Sequence, residues 1–386
     1  MPCRICGAHE CKKHTALLSS SARPITAFTG SSPPEIFVGR WRYPNVYAGI
    51  LSPQEYGDTA ALSSPEEWHR QRLPIPTILK LRNRLIYARD RTSIKKPTER
   101  FISVMQELAM AHRSVAAEFT LKKPVAANPE KETHVPLITN AAPLRHVRLQ
   151  ENPKVQHKVD ELVSDTEVKA KDALLELEKS NIPTSTLIKL LSAGLLGQRK
   201  KRKLVPTRWS ITAVDDTLSK EKLMRIRHFP EISEILLFHA DYLGNYYEFL
   251  LLPDKFAFEV IEHGIASNGI WHDYEGFEGR TTYAESVTGA YYANRLALSE
   301  YLARIQRQAQ CIVFREIHPE YHAPLGVGIL RQLSREAFSR PPERFATKEE
   351  ALARISSRFH TPLKRFLTRS VIVREFGKQA RLSKFF

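Results

Sequence analysis

Apolar and polar positions along the chain alternate in short runs, which predicts many small elements. Residues 66–72 and 77–88 read as short helices, the second after Pro76, and a longer helix starts near Thr98, with Glu99 in its first turn, and ends at about Ala111. Val115, Ala117, Phe119 and Leu121 then alternate with the period of a strand. Helices follow at about 154–164, 167–180 and 185–196, the last closed by Gly197 in the left-handed conformation. A strand is expected at 209–214, then a helix whose positive end lies beside Asp215 and Asp216. Residues 234–240 and 246–252, joined at Leu243-Gly244-Asn245, read as an antiparallel hairpin, and a strand at 256–261 would extend it into a meander. Thr282-x-x-Glu285 has the form of a capping box before the longest helix, about 282–308, on which Val287, Tyr291, Leu298, Tyr301 and Ile305 recur at helical spacing. A strand at 310–317 and helices near 326–338, 347–358 and 362–369 complete the pattern.

Hairpins and clustered helices without a βαβαβ rhythm predict an α+β fold, an antiparallel or mixed sheet flanked by helices. A small zinc-knuckle-like module at 1–20, a Ser/Thr/Pro/Gly-rich linker at 21–34 and a core at 35–370 are expected, with a flexible tail at 371–386. Within the core, 35–64 reads as irregular because Gly39, Pro44, Gly49, Pro53 and Gly57 interrupt it. Residues 123–143, with four prolines, read as a loop and a possible sub-boundary near 123–152. There is no internal repeat, and no GxGxxG or Walker pattern points to a standard nucleotide fold.

Charge narrows the class of partner. The chain of 386 residues has 58 Lys and Arg against 42 Asp and Glu, a formal charge of +16. The segments 65–96, 195–230 and 340–386 carry net charges of +6, +7 and +8, so the remainder is −5. Concentrated positive charge favours a polyanion, because each phosphate contact releases counterions. No run of about 18 apolar residues spans a membrane, no amphipathic face accompanies the cations, and Met1-Pro2-Cys3 opens no signal core. A cytoplasmic, nucleoid-associated protein is expected.

Three of the four cysteines lie in the first eleven residues. Cys3, Cys6, Cys11 and His14 form C-x2-C-x4-C-x2-H, in which two tight turns supply two pairs of zinc ligands, with His9 an alternative. A filled tetrahedron implies a structural zinc, whose binding energy would fold a segment too short for its own core. Cys311 sits in an apolar strand and reads as an inert core residue. At the other end, Gln379, Leu382, Phe385 and Phe386 form Q-x-x-L-x-x-F-F, which resembles the PIP box that binds the replication sliding clamp (PCNA). One helical turn puts Leu382 and the two phenylalanines on one face, to fill an apolar pocket beside Gln379.

Arg199, Lys200, Lys201, Arg202 and Lys203 are consecutive, repel one another and so are expected at the surface, where they meet phosphate. Arg208 joins them as a nucleic-acid contact, and Trp209 either stacks on a base or belongs to the core. The stretch 191–197, this block and Leu204-Val205-Pro206-Thr207-Arg208-Trp209-Ser210-Ile211-Thr212-Ala213-Val214-Asp215-Asp216 resemble the archaeal Nre DNA-repair proteins. So do the Cys/His start, Phe37-Val38-Gly39-Arg40 with Tyr43-Pro44, Glu278-Gly279-Arg280 with Tyr283-Ala284, Gly289-Ala290-Tyr291-Tyr292 and the terminal motif. The resemblance implies a role in DNA repair together with the replication clamp, and it carries no assigned catalytic residues. An RNA-binding protein is an alternative, as is a metal-dependent nuclease or nucleotide-processing enzyme. In that enzyme Asp215 and Asp216, with His239, Asp241 and Glu248, would hold magnesium. Alternatively the glycine-rich stretch 262–280, read as a long loop, would offer Trp271, His272 and Arg280 to a nucleotide.

Overall fold

The computed structural model describes residues 24–95, 100–130, 132 and 134–378. The α+β class holds, and the chain forms two compact units. Of the described residues, one comprises those up to Leu218 with Ala323–Ile329; the other comprises Ser219–His322 and those from Leu330 onward. The division falls inside a helix, away from 123–152. No helix among the described residues is long and apolar enough to cross a membrane.

The first unit is built on a seven-stranded mixed sheet. Its strands are β1 (Ala27–Ser32), β2 (Ile36–Val38), β3 (Asn45–Ser52), β4 (Ile86–Ser93), β5 (Val115–Leu121), β6 (Ala126–Glu130) and β7 (Ile138–Leu149). They run in the order β1-β5-β7-β4-β3-β2, with β6 beside β7 and only β4 and β7 parallel. The helices are α1 (Pro65–Arg70), α2 (Ile75–Asn83), α3 (Arg100–Met110), α4 (His157–Ser164), α5 (Ala170–Lys179), α6 (Thr184–Ser192) and the first turns of α7 (Thr207–Ile226).

Several expectations fail here for physical reasons. The presumed linker contains β1, whose Phe28 stacks on Phe119 of β5 at 4.7 Å. The presumed irregular stretch contains β2 and β3. Gly49 does not break β3, because a Cβ there would lie 2.1 Å from the Ala88 carbonyl oxygen, so close strand approach requires glycine. The proline-rich 123–143 segment holds β6 and the start of β7. Pro143 lies at the point where β7 changes partner from β4 to β5. Residues 86–88, read as helix, begin β4. Gly194, directly after the C-cap Ala193, closes α6 in place of Gly197, with φ of +70°. Residues 209–214 are helical: Ile211, Val214 and Leu218 are buried at helical spacing, which overrides the strand preference of Trp, Ile, Thr and Val.

The second unit surrounds a six-stranded sheet, β11-β10-β12-β9-β8-β13. Its members are β8 (Ile235–Tyr242), β9 (Asn245–Leu252), β10 (Ala257–Gly264), β11 (Gly269–Glu275), β12 (Gln310–Ile317) and β13 (Glu343–Phe345). The hairpin of β8 and β9 turns at Leu243 and Gly244, both with positive φ, as a two-residue hairpin loop demands. The meander does not form, because β12 enters between β9 and β10 and pairs parallel with β10. Helix α8 (Gly289–Ile305) is buried on nearly all sides, and Cys311 is a buried free thiol whose pKa burial raises. Helices α9 (Val327–Ser339), α10 (Lys348–Arg358), α11 (Lys364–Leu367) and α12 (Val371–Glu375) follow. An apolar cluster of Ile235, Leu250, Phe314, Ile355 and Phe366 packs α10 and α11 on the sheet.

Helix α8 begins seven residues after Thr282. The amides of Ser286 and Val287 instead donate to Asp273 at 3.1 and 2.7 Å, and that of Ala284 to the Tyr292 hydroxyl at 2.9 Å. The tail expected at 371–386 is docked over its first turn. Glu259 of β10 accepts the amides of Val371 and Ile372 and the Ser370 hydroxyl, while Ser370 caps α12.

Candidate nucleic-acid interface

The basic block lies in the first unit, between the end of α6 and the start of α7. Arg199–Lys201 form one 3₁₀ turn, and Arg199, Lys200, Lys201 and Lys203 are exposed. Arg202 is not. Its guanidinium turns inward and donates to the carbonyls of Gly197, Val163 and Asp165 at 2.7, 2.8 and 2.7 Å. Burial draws its pKa down, with Asp165 opposing. The planar fork of arginine therefore braces the segment against the end of α4, and the run divides into four exposed cations and one structural residue.

Arg208 departs from the block in the other direction. Pro206 accepts the first amides of α7, and the hydroxyl of Thr207 accepts the amide of Val38 at 2.9 Å while lying 3.0 Å from that of Ser192. The segment after β2 is thereby fixed beside the first turn of α7. Arg40 of that segment pairs with Glu132 at 2.6 Å, and Arg208 approaches the other oxygen of the same carboxylate at 3.6 Å. Glu132 is buried and Oε2 has no hydrogen-bond donor. His134 is buried nearby. Desolvation, then the charges of Arg208 and Arg40, lower its pKa to about 4, so it is neutral at pH 7.

Aromatic side chains surround these arginines. Trp209 is 42% exposed, and its ring centroid lies 5.2 Å from that of Tyr43, tilted by 56°. Trp41, 58% exposed, carries the Arg40 guanidinium 4.3 Å from its ring centroid. Tyr47 on β3 is exposed too, with Arg89 at 4.3 Å from its ring and Arg91 directly opposite on β4. Sequence reading selected Arg208 and Trp209 but gave no role to Arg40, Trp41, Tyr43 or Glu132. The signal available was the pairing of Phe37–Arg40 with Tyr43-Pro44 among the family-like stretches.

The other candidate residues are engaged in contacts within their own units. Asp215 and Asp216 lie inside α7, Asp215 fully buried, rather than at a helix start, and they belong to the first unit. His239, Asp241 and Glu248 belong to the second, where His239 Nδ1 lies 2.8 Å from Glu248 and Arg358 pairs with the same carboxylate at 3.2 Å. Among the described residues, no group of three or more His, Cys, Asp or Glu is placed to hold a metal ion. The stretch 262–280 is largely the β10–β11 hairpin. His272 is held by Glu259 at 2.7 Å, and Arg280 pairs with Asp273 at 3.1 Å and donates to the Tyr274 and Tyr283 carbonyls. Trp271 lies on β11 against Gly264 and Gly269. A cavity of about 750 Å³ lined by Ile235, Phe345, Lys348 and Phe376 contains none of these residues. Cys3, Cys6, Cys11 and His14, and Gln379, Leu382, Phe385 and Phe386, lie outside the described residues.

Comparison with known proteins places this arrangement. The family model described as archaeal Nre, N-terminal, matches residues 5–272, and that described as archaeal Nre, C-terminal, matches 275–385. The chain belongs to the archaeal Nre family. It is 34% identical over 398 aligned residues to DNA repair protein NreB of Archaeoglobus fulgidus, with both chains covered completely. DNA repair protein NreA of Haloferax volcanii is 33% identical over 80% of this chain and 77% of its own. NreA of Archaeoglobus fulgidus is 34% identical over 85% of this chain and 84% of its own. No solved structure matches. The two Nre segments divide just inside the end of β11, whereas the structural units divide within α7.

Proposed function

We propose that this chain is a DNA-repair protein that binds DNA and is recruited to the replication sliding clamp by its C-terminal PIP box. The observation that carries the reading is similarity along the whole chain to a relative named a DNA repair protein. The exposed cations Arg199, Lys200, Lys201 and Lys203 support it, as they present a phosphate-binding strip on a firmly braced turn. Gln379, Leu382, Phe385 and Phe386 would occupy the clamp, and tethering would raise the local concentration of the protein where DNA is copied. Cys3, Cys6, Cys11 and His14 supply a complete zinc donor set for a structural site. The protein would work in the cytoplasm, at the nucleoid.

Calorimetric titration of the clamp with the full chain and with a chain ending at Lys378 tests recruitment. Binding by the full chain and its loss on truncation are expected. Equal binding by both removes the PIP box from the account, and binding by neither removes the clamp. Metal analysis of the purified chain and a Cys3→Ser/Cys6→Ser variant tests the zinc site, with one zinc per chain expected only in the unaltered protein. Tighter binding of RNA than of DNA of the same sequence would favour the RNA-binding alternative.

A further inference from the structure

The aromatic rim of the first unit is separate from the cationic strip and has a different chemistry. A strip of lysines answers to phosphate whatever the state of the bases. Exposed tryptophan and tyrosine faces answer to a flat ring. In the described structure Trp41, Tyr43, Tyr47 and Trp209 leave between two-fifths and three-fifths of their surfaces in solvent. Three of these side chains stand on the strand β3 or the turn before it, and the fourth on the first turn of α7. Tyr43 and Trp209, tilted by 56°, make a corner in which both rings keep more than two-fifths of their surface in solvent.

The charges at this corner are organised for an anion. Arg40 and Arg208 reach it from different elements and face one buried carboxylate, Glu132, which holds Arg40 at 2.6 Å and lies 3.6 Å from Arg208, so one carboxylate does not cancel both charges. Arg89 and Arg91 continue the positive margin along β4 beside Tyr47. This is the complement of a nucleotide: a ring to stack and a phosphate to pair.

We infer that this rim takes an unstacked base of a single DNA strand, its ring against Trp209 and Tyr43 and its neighbouring phosphates at Arg40 and Arg208. A base inside a duplex has both faces covered by its neighbours, so the rim selects unpaired DNA, such as a gap, a frayed end or an extruded base. Glu132 is then a positioning residue for the two arginines. The inference rests on the DNA-binding reading above and adds strandedness and a site to it.

Anisotropy titrations of the full-length protein with a labelled single-stranded oligonucleotide, and with a blunt duplex of the same length, test it. The unaltered protein should prefer the single strand. Trp209→Ala and Tyr43→Ala should each lower single-strand affinity by about tenfold, the effect expected of losing one stacked ring, with duplex affinity and melting temperature unchanged. A Lys200→Ala/Lys201→Ala variant should weaken both substrates alike. Unchanged single-strand affinity in both the Trp209 and the Tyr43 variant, or equal affinity of the unaltered protein for the two substrates, overturns the inference and leaves DNA binding intact. Binding of neither substrate by the unaltered protein overturns both.

Discussion

The Thr207 hydroxyl accepts the Val38 amide at 2.9 Å, joining residues 169 positions apart in the chain. This bond connects the end of β2 to the first turn of α7, and so brings Arg40 and Tyr43 to Arg208 and Trp209. The two stretches together build one corner. Thr207→Val keeps the shape and removes the acceptor, leaving a buried amide unpaired. We expect a loss of about 1–3 kcal/mol in chemical denaturation. Thr207→Ser should restore most of it.

The inward turn of Arg202 separates stability from binding within five consecutive cations. Arg202→Lys retains charge but not the fork that serves three carbonyls, and should cost about 2 kcal/mol or more of stability. Lys200→Ala and Lys201→Ala, on exposed side chains, should stay within about 0.5 kcal/mol of the unaltered protein. Thermal melts of the three variants check the contrast.

Glu259 gathers His272, Ser370 and the first amides of α12. Replacing it should free the last turns of the second unit before it unfolds anything else. In Glu259→Ala, hydrogen exchange at Val371–Glu375 should quicken by at least about tenfold, while β10 and β12 remain protected. Equal protection in the variant and the unaltered protein would show that the apolar seat of Ile372 alone holds α12.

His134 sets a pH dependence of known sign. Its folded-state pKa of about 4 lies below its ordinary value of 6.5, so between the two the unfolded chain binds more protons than the folded one. Its contribution is complete above about pH 6.5, falls as the pH drops toward about 4, and is lost below that. The upper bound is roughly 3 kcal/mol. Denaturation of His134→Gln and the unaltered protein across this window should give curves that converge as the pH falls.

Much of the second unit was legible in the sequence, and the reason is local. The β8–β9 hairpin carries its own turn residues, and α9 and α10 carry their own periodicity. What failed depended on distant partners. Residues 209–214 have strand-like side chains, but Ile211 and Val214 bury a helical face. Thr282 and Glu285 have capping residues, but Asp273 takes the amides beyond them. The 262–280 stretch is rich in glycine, yet it pairs along β10 and β11. At the candidate site the cations were visible as a run, whereas the inward turn of Arg202 and the pairing of Arg40 with Glu132 were not. Both depend on distant groups, the carbonyls of Val163 and Asp165 and the carboxylate of Glu132, which no spacing within 199–209 encodes.

The claim on which the account turns is that the exposed cations of the 199–203 segment hold DNA phosphates. Affinity for a single-stranded oligonucleotide should be measured across a range of salt concentrations, for the unaltered protein and for a Lys200→Ala/Lys201→Ala/Lys203→Ala variant. The logarithm of the affinity should fall linearly with the logarithm of salt concentration. The triple variant should lower the slope by about 2 in magnitude, near 0.7 for each phosphate that no longer meets a lysine. The same slope in both proteins, or an affinity indifferent to salt, would contradict it.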